Sequence, residues 1–275
     1  MILAPGLLDT SNDLVRAVPT LSPSAVALLA LLAFCGGMVD AVAGGGGLLT
    51  VPALIAAGLP PHLVLGTNKG QSVFGAGAAL YRFARSGILD RSRALAAVPA
   101  GLAGSLCGAS LVLLVRGEVL RPLVIALLVL VALFIAFRPP ASPRSGRFFP
   151  LKAALAPRAA GSIAFVLGAY DGFFGPATGT FLILSFVLVL GDGLTRASGE
   201  AKVVNFATNL AALCLFAARG AIVWRLALPM AVGQAAGSTL GAHLALERGD
   251  AFVRRVVLIV VLLTCAKLVL DLWRG

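Results

Sequence analysis

The chain has 275 residues, 59% of them hydrophobic and only 12% charged, with a mean hydropathy of +1.00. A soluble domain carries roughly 25% charged residues, so the composition excludes a soluble fold and implies a polytopic helical protein embedded in a lipid bilayer. The apolar runs are continuous rather than alternating, which excludes a β-barrel. The net charge of +11 does not point to nucleic acid, because the basic residues stand between apolar runs and not along one face or tail. They read as signals of membrane topology.

In chain order, residues 1–22 form an N-terminal extension in which Asp9 and Asp13 accompany only Arg16. That is the wrong charge order for a secretory signal, so the first apolar segment is expected to be retained. Apolar segments then fall at about 24–43, 48–58, 63–84, 94–115 and 120–137. A basic linker rich in Pro and Ser, 139–158, is expected as an exposed cytoplasmic loop. Further apolar segments follow at about 159–171, 178–190, 197–218, 225–246 and 252–272. A spanning helix needs about 20 residues, so 48–58 and 178–190 are too short, and each adjoins a break rich in Gly and Pro. Cys35, Cys107, Cys214 and Cys265 are scattered through apolar segments without metal-type spacing, and are expected as buried, reduced, small hydrophobes. No metal site and no cofactor is expected.

The two halves match. Asp40-Ala-Val-Ala-Gly44 aligns with Asp171-Gly-Phe-Phe-Gly175, Lys69 with Lys202, and Gly104-Ser-Leu-Cys-Gly108 with Gly237-Ser-Thr-Leu-Gly241. The last two pairs share an offset of 133 residues, and the only gap needed is two residues between the Asp and the Lys of the second half. The chain thus reads as an all-α duplication, with transmembrane repeats at 23–138 and 159–273. Each repeat holds a broken helical hairpin followed by three transmembrane helices. A hairpin returns the chain to the side it entered, so the repeat is odd in crossings and its tandem copy must be inverted. With the N-terminus outside, the predicted inside loops carry twelve basic residues against six outside, a bias that agrees with inversion. Inverted repeats with discontinuous helices place a substrate site near the midplane and provide two related conformations for alternating access.

The candidate site residues lie at the breaks. Gly44 to Gly47 let the chain turn at membrane depth, and the amides of Gly45, Gly46 and Gly47 at the start of the short helix favour an anion. The counterpart in the second half is Gly175-Pro176-Ala177-Thr178, with Thr178 facing the site. Lys69 and Lys202 need an anion in the interior. Asn205 and Asn209 share a helical face with Lys202, while Asn68 and Gln71 flank Lys69. Together they would make a polar chamber for a small oxyanion; alternatively, each Lys snorkels to an interface or pairs with its own Asp. Asp40 and Asp171 would neutralise the lysines, bind a coupling proton or sodium ion, or cap the breaks. Gln234 could reach the chamber but reads better as glue between helices, and the ladders Gly101, Gly104, Gly108 and Gly233, Gly237, Gly241 read as close helix packing. His62 and His243 have no partner spacing for a metal.

Asp40 to Leu54 with its glycine run, Gly58-Leu-Pro-Pro-His62 and Gly66-Thr-Asn-Lys69-Gly-Gln-Ser72 resemble the sulfite exporter TauE/SafE family of bacterial membrane proteins. Lys202-Val-Val-Asn205 and Trp224-Arg225 also fit it, and the resemblance covers nearly the whole chain after residue 20. It implies a multi-pass transporter of the bacterial inner membrane that exports small organosulfur anions such as sulfite, sulfonates or sulfoacetate. A homo-oligomer is compatible with it. A passive anion channel is the alternative from the same residues. An intramembrane enzyme is disfavoured, since no Ser–His pair or His/Asp ligand cluster stands at useful spacing, and a Ser72–Lys69 dyad, lysine beside serine on one helix, is a common and weak signal. No Gly-x-x-x-x-Gly-Lys-Ser/Thr run is present, so ATP would have to be hydrolysed by a partner.

Overall fold

The computed structural model describes residues 20–137 and 153–274, all helix and connecting turns with no strand among them. Helix α1 (Pro23–Ala43) opens on Ser22, whose hydroxyl accepts the Ala25 N–H, and closes on Gly44 in the left-handed region. Helix α2 (Gly47–Ala56) is ten residues long. Pro61 sits in the first turn of α3 (Pro61–Arg85), where its fixed φ suits a helix start, and Arg82 and Arg85 close the last turn against the dipole. Asp90 caps α4 (Arg91–Leu114) by accepting the Ser92 and Arg93 amides at 2.9 and 3.3 Å. Helix α5 (Gly117–Phe137) ends the first half.

In the second half a 3₁₀ turn (Ala153–Leu155) leads into α6 (Ala156–Phe173). The short α7 (Thr178–Ser185) is extended by a π-helical turn (Phe186–Leu190) that ends on left-handed Gly191. Helix α8 (Leu194–Ala218) follows, then α9 (Trp224–Arg274), which Gly249 (φ 62°, ψ −163°) divides into two helices. Among the described residues, three helices are long and apolar enough to cross a membrane: α1, α4 and α8.

Two expectations change. Helix α6 begins at Ala156, inside the stretch read as linker, because Pro157 belongs to its first turn and preorganises it; the remainder of that linker, 139–152, lies outside the described residues. Cys107 and Cys214 are exposed and Cys35 is half-buried, not buried as expected; Cys265 lies beyond the described side chains. The reason is the solvent: facing lipid, a small apolar group gains little by turning inward. Leu31, Leu111, Leu114, Val166 and Val232 are exposed in the same way.

The halves pack reciprocally. Helix α4 lies against α6, and the first part of α9 lies against α1. A Cβ on Gly104 or Gly108 would run into the carbonyls of Phe165 or Ala169, and one on Gly237 or Gly241 into those of Phe34 or Met38. The same repeat positions therefore supply glycine and carbonyl in both interfaces, as in a two-fold contact. These glycines act as helix packing, as their spacing implies.

Along α3, α8 and α9 a polar stretch separates two apolar clusters. One cluster gathers Leu59, Leu63, Val112, Leu120, Phe216, Val223 and Leu226. The other gathers Phe83, Ala97, Leu182, Leu190, Leu194 and Ala245. Between them Asn68, Lys69, Gln71, Lys202, Asn205, Asn209, Gln234 and Ser238 are all buried.

Candidate functional site: a small polar cavity between the two broken hairpins

The breaks meet each other. A helix end leaves its last carbonyls without partners, and those of α1 are met by the other half. Thr180 donates its amide to Gly44 O (3.2 Å) and its hydroxyl to Ala43 O (2.8 Å), while the Ser198 hydroxyl reaches Val42 O (2.9 Å). The approach requires glycine on both sides, since a Cβ on either Gly44 or Gly179 would enter the backbone of the other.

The charged residues cross between halves. Lys69 Nζ lies 2.9 Å from Asp171 Oδ1, and Lys202 Nζ lies 2.6 Å from Asp40 Oδ2. Both lysines are buried, at 2% and 0% exposure, so neither snorkels in this structure and neither pairs with the Asp of its own half. Asp40 is committed at both oxygens, because Oδ1 also accepts the Gly46 amide (3.4 Å) at the start of α2. The anion at that helix N-terminus is thus the protein's own carboxylate. Asp171 differs: its Oδ2 is buried and has no hydrogen-bond partner.

Around the pairs, Asn68 Oδ1 accepts from Thr50 Oγ1 (2.7 Å) and Gln71 Nε2 (3.0 Å), and Asn209 Nδ2 donates to the Asn205 carbonyl (2.7 Å). Of the residues singled out from sequence, Asp40, Gly47, Asn68, Lys69, Asp171, Thr178, Asn205 and Asn209 line one cavity. Gly45, Gly46, Gln71 and Lys202 do not. Gln71 stands behind Asn68, and Lys202 is drawn off the wall by Asp40. The wall also includes Gly44, Ser72, Gly175, Gly179 and Gln234. Gln234 had a visible signal, an amide amid small residues on an apolar helix; the structure uses its backbone against Gly37 and its side chain against Gly75 and the cavity. The cavity has a volume of only ≈ 20 Å³, room for about one water. Asn205 Oδ1 and Gln234 Oε1, like Asp171 Oδ2, are buried without a partner.

A second charged cluster closes one end of the bundle, where α3 turns into α4 and the α7–α8 turn approaches. Arg93 grips Asp192 through Nη1 at 2.7 and 2.9 Å, and Arg196 reaches Asp90 (3.4 Å) and Asp192 (3.5 Å). Glu200 accepts the Asp90 amide (2.7 Å), and Asp250 caps α8 through the Thr195 amide and hydroxyl. The Ser92 hydroxyl bound to Asp90 holds that carboxyl below its ordinary value. Sequence spacing did not single out this cluster, since Arg93 and Asp192 are 99 residues apart.

Membrane-length helices, apolar outer faces and ion pairs held inside a polar cavity define a membrane transport protein rather than a soluble binding domain. Residues 29–268 match the family described as "Sulfite exporter TauE/SafE", and the chain belongs to that family. Similar full-length relatives include "Probable membrane transporter protein YfcA" of Escherichia coli K12, 37% identical over 266 residues, 96% of this chain and 95% of the relative. "Probable membrane transporter protein ORF9" of Sinorhizobium sp is 35% identical over 248 residues, 90% of this chain and 93% of the relative. A "Probable membrane transporter protein" of Haemophilus influenzae is 34% identical over 248 residues, 90% of this chain and 95% of the relative. No solved structure matches the chain.

Proposed function

We propose that this membrane transporter is a secondary exporter of small organosulfur or related anions, working by alternating access around the cavity between its two breaks, in the bacterial inner membrane. The observation that carries the reading is the pair of fully buried lysines, each neutralised from the opposite half, with Lys69 on the cavity wall. A small oxyanion would take the place of a carboxylate on Lys69, on a wall that also holds Asn68, Asn205, Asn209 and Thr178. Lys202 would hold Asp40 over the start of α2 and so keep the chamber in shape. The reciprocal glycine–carbonyl contacts support an inverted repeat, and two equivalent interfaces would let one half rock against the other. A carrier is favoured over a passive channel because the cavity has room for about one water and an apolar cluster lies towards each end of the bundle.

The test is a thermal-shift screen of purified protein against sulfite, sulfate, sulfonates and carboxylates, paired with uptake into proteoliposomes. One anion should stabilise the wild type, and Lys69→Ala should remove that stabilisation while the protein still expresses. If Lys69→Ala and Lys202→Ala both transport normally, the chamber is elsewhere.

A further inference from the structure

Resting on the anion-chamber reading above, we propose that Asp171 is exchanged for the substrate by a proton: its carboxylate holds Lys69 in the empty site, and it is protonated as a monoanion replaces it on the ammonium.

The charge balance carries the argument. Lys69, Lys202, Asp40 and Asp171 form two closed pairs whose formal charges cancel. An added anion would leave the interior with an uncompensated negative charge, which is costly to desolvate. Nor is there room, since ≈ 20 Å³ admits about one water. One acid must therefore become neutral and swing aside.

The two aspartates are not equivalent in this respect. Asp40 uses both oxygens, one on Lys202 and one on the Gly46 amide, and its loss would free the start of α2. Asp171 spends one oxygen on Lys69, and its Oδ2 is buried with no partner. That oxygen can take a proton without breaking any bond it already makes. The same cavity is short of donors, because Asn205 Oδ1 and Gln234 Oε1 are also unpaired. A carboxylic acid supplies a donor, whereas a carboxylate adds another acceptor.

The groups facing Asp171 agree with this role. Lys69 faces it from α3; Asp40 from α1 shares the cavity, with Lys202 of α8 tied to Asp40. On its own helix, Tyr170 donates its hydroxyl to Pro176 O and leaves the carboxylate alone. Helix α4 meets this turn of α6 through Ser105 and Gly108, and α7 presents Thr178. Glu200 of α8 is engaged at the Asp90 amide. Lys69 is thus the cation that protonation of Asp171 releases.

The step balances. A proton from water on the open side forms one O–H bond on Asp171, the Lys69–Asp171 pair opens, and a Lys69–anion pair replaces it; release reverses both. The site stays neutral, so one proton accompanies each monoanion in the same direction. Net export then requires an outward anion gradient larger than the inward proton gradient.

The probe is methanesulfonate, a monoanion at every pH used, added to the purified full-length protein in weak buffer with a pH indicator. Binding should take up about one proton per anion, and Kd should rise about tenfold per pH unit over the range in which that uptake is seen. Asp171→Asn should bind at all pH values without proton uptake. In vesicles it should exchange methanesulfonate yet fail to accumulate it under a pH gradient. Lys69→Ala should not bind at any pH. Wild-type binding that depends on Lys69 but takes up no proton would overturn the exchange and leave the chamber standing. Absence of methanesulfonate binding at every pH would overturn the chamber reading and the exchange with it.

Discussion

At the scale of single residues, the interior ion pairs decide most of what a substitution does. Removing one partner of a buried pair strands the other charge, at a cost of about 3–5 kcal/mol. Lys202 is wholly buried against Asp40 and stands off the cavity wall. Lys202→Ala should therefore lower the melting temperature markedly, and Asp40→Asn in the same chain should restore a large part of the loss. Equal melting temperatures for Lys202→Ala and the double variant would show that the pair is not the source. Lys69 sits on the wall, so its loss is to be read in binding as well as in stability.

Asp90 gives a residue-scale dependence on pH. Its carboxyl is held below the ordinary 3.8 by the Ser92 hydroxyl, with the Ser92 and Arg93 amides adding to the effect. A depressed carboxyl stabilises the fold above the unfolded value and loses that contribution as the pH falls through the folded value. Wild type should thus exceed Asp90→Asn in melting temperature at neutral pH, and the gap should close on acidification below the ordinary carboxylate value. A gap that stays constant with pH would show that ionised Asp90 is not the cap that counts.

At the scale of elements, the crossing of the two hairpins rests on Gly44 and Gly179. Gly44 is left-handed (φ 76°), and its Cβ would also enter the Gly179 backbone. Gly58 is left-handed too (φ 83°), but nothing lies within 4 Å of a Cβ there. Gly58→Ala should cost only the local strain, about 1–2 kcal/mol. Gly44→Ala should leave little folded protein in size-exclusion profiles. Similar yields for the two variants would mean that the hairpins do not need this approach.

The two ends of the bundle are closed by different chemistry. Positions 133 residues after Asp90 and Arg93 are Val223 and Leu226, which sit in an apolar cluster with Leu59 and Leu63. Where one end has a salt-bridge network, the repeat-related end has packed aliphatics. Under alternating access, Arg93→Ala should loosen only the charged end. A cysteine at Ser72, in a chain lacking its native cysteines, should then react several-fold faster with an impermeant thiol reagent from that side. An unchanged rate would separate the network from gating.

At the scale of the whole molecule, much of the architecture was legible in one dimension. The apolar segments, the two short helices and the glycine breaks are all written in composition and spacing, and the described helices fall within a few residues of them. The π turn after Ser185 was not legible, because it depends on how Phe186 and Leu190 pack and not on any residue type. The outward-facing Cys107 and Cys214 were misplaced because hydrophobicity does not separate a core from a lipid-facing surface.

The candidate site divides along the same line. Sequence alone determined that this is a helical membrane protein and that two lysines, two aspartates and several amides fall beside breaks in its apolar segments. Periodicity and composition report which residues share a helix, a face and an apolar run. Only the tertiary structure decided which Asp meets which Lys, that Asp40 is saturated while Asp171 keeps a bare oxygen, and that Gln234 reaches the cavity when Lys202 does not. The two ion pairs join residues more than 100 positions apart, brought together where Gly44 approaches Gly179. No local rule along the chain carries that information.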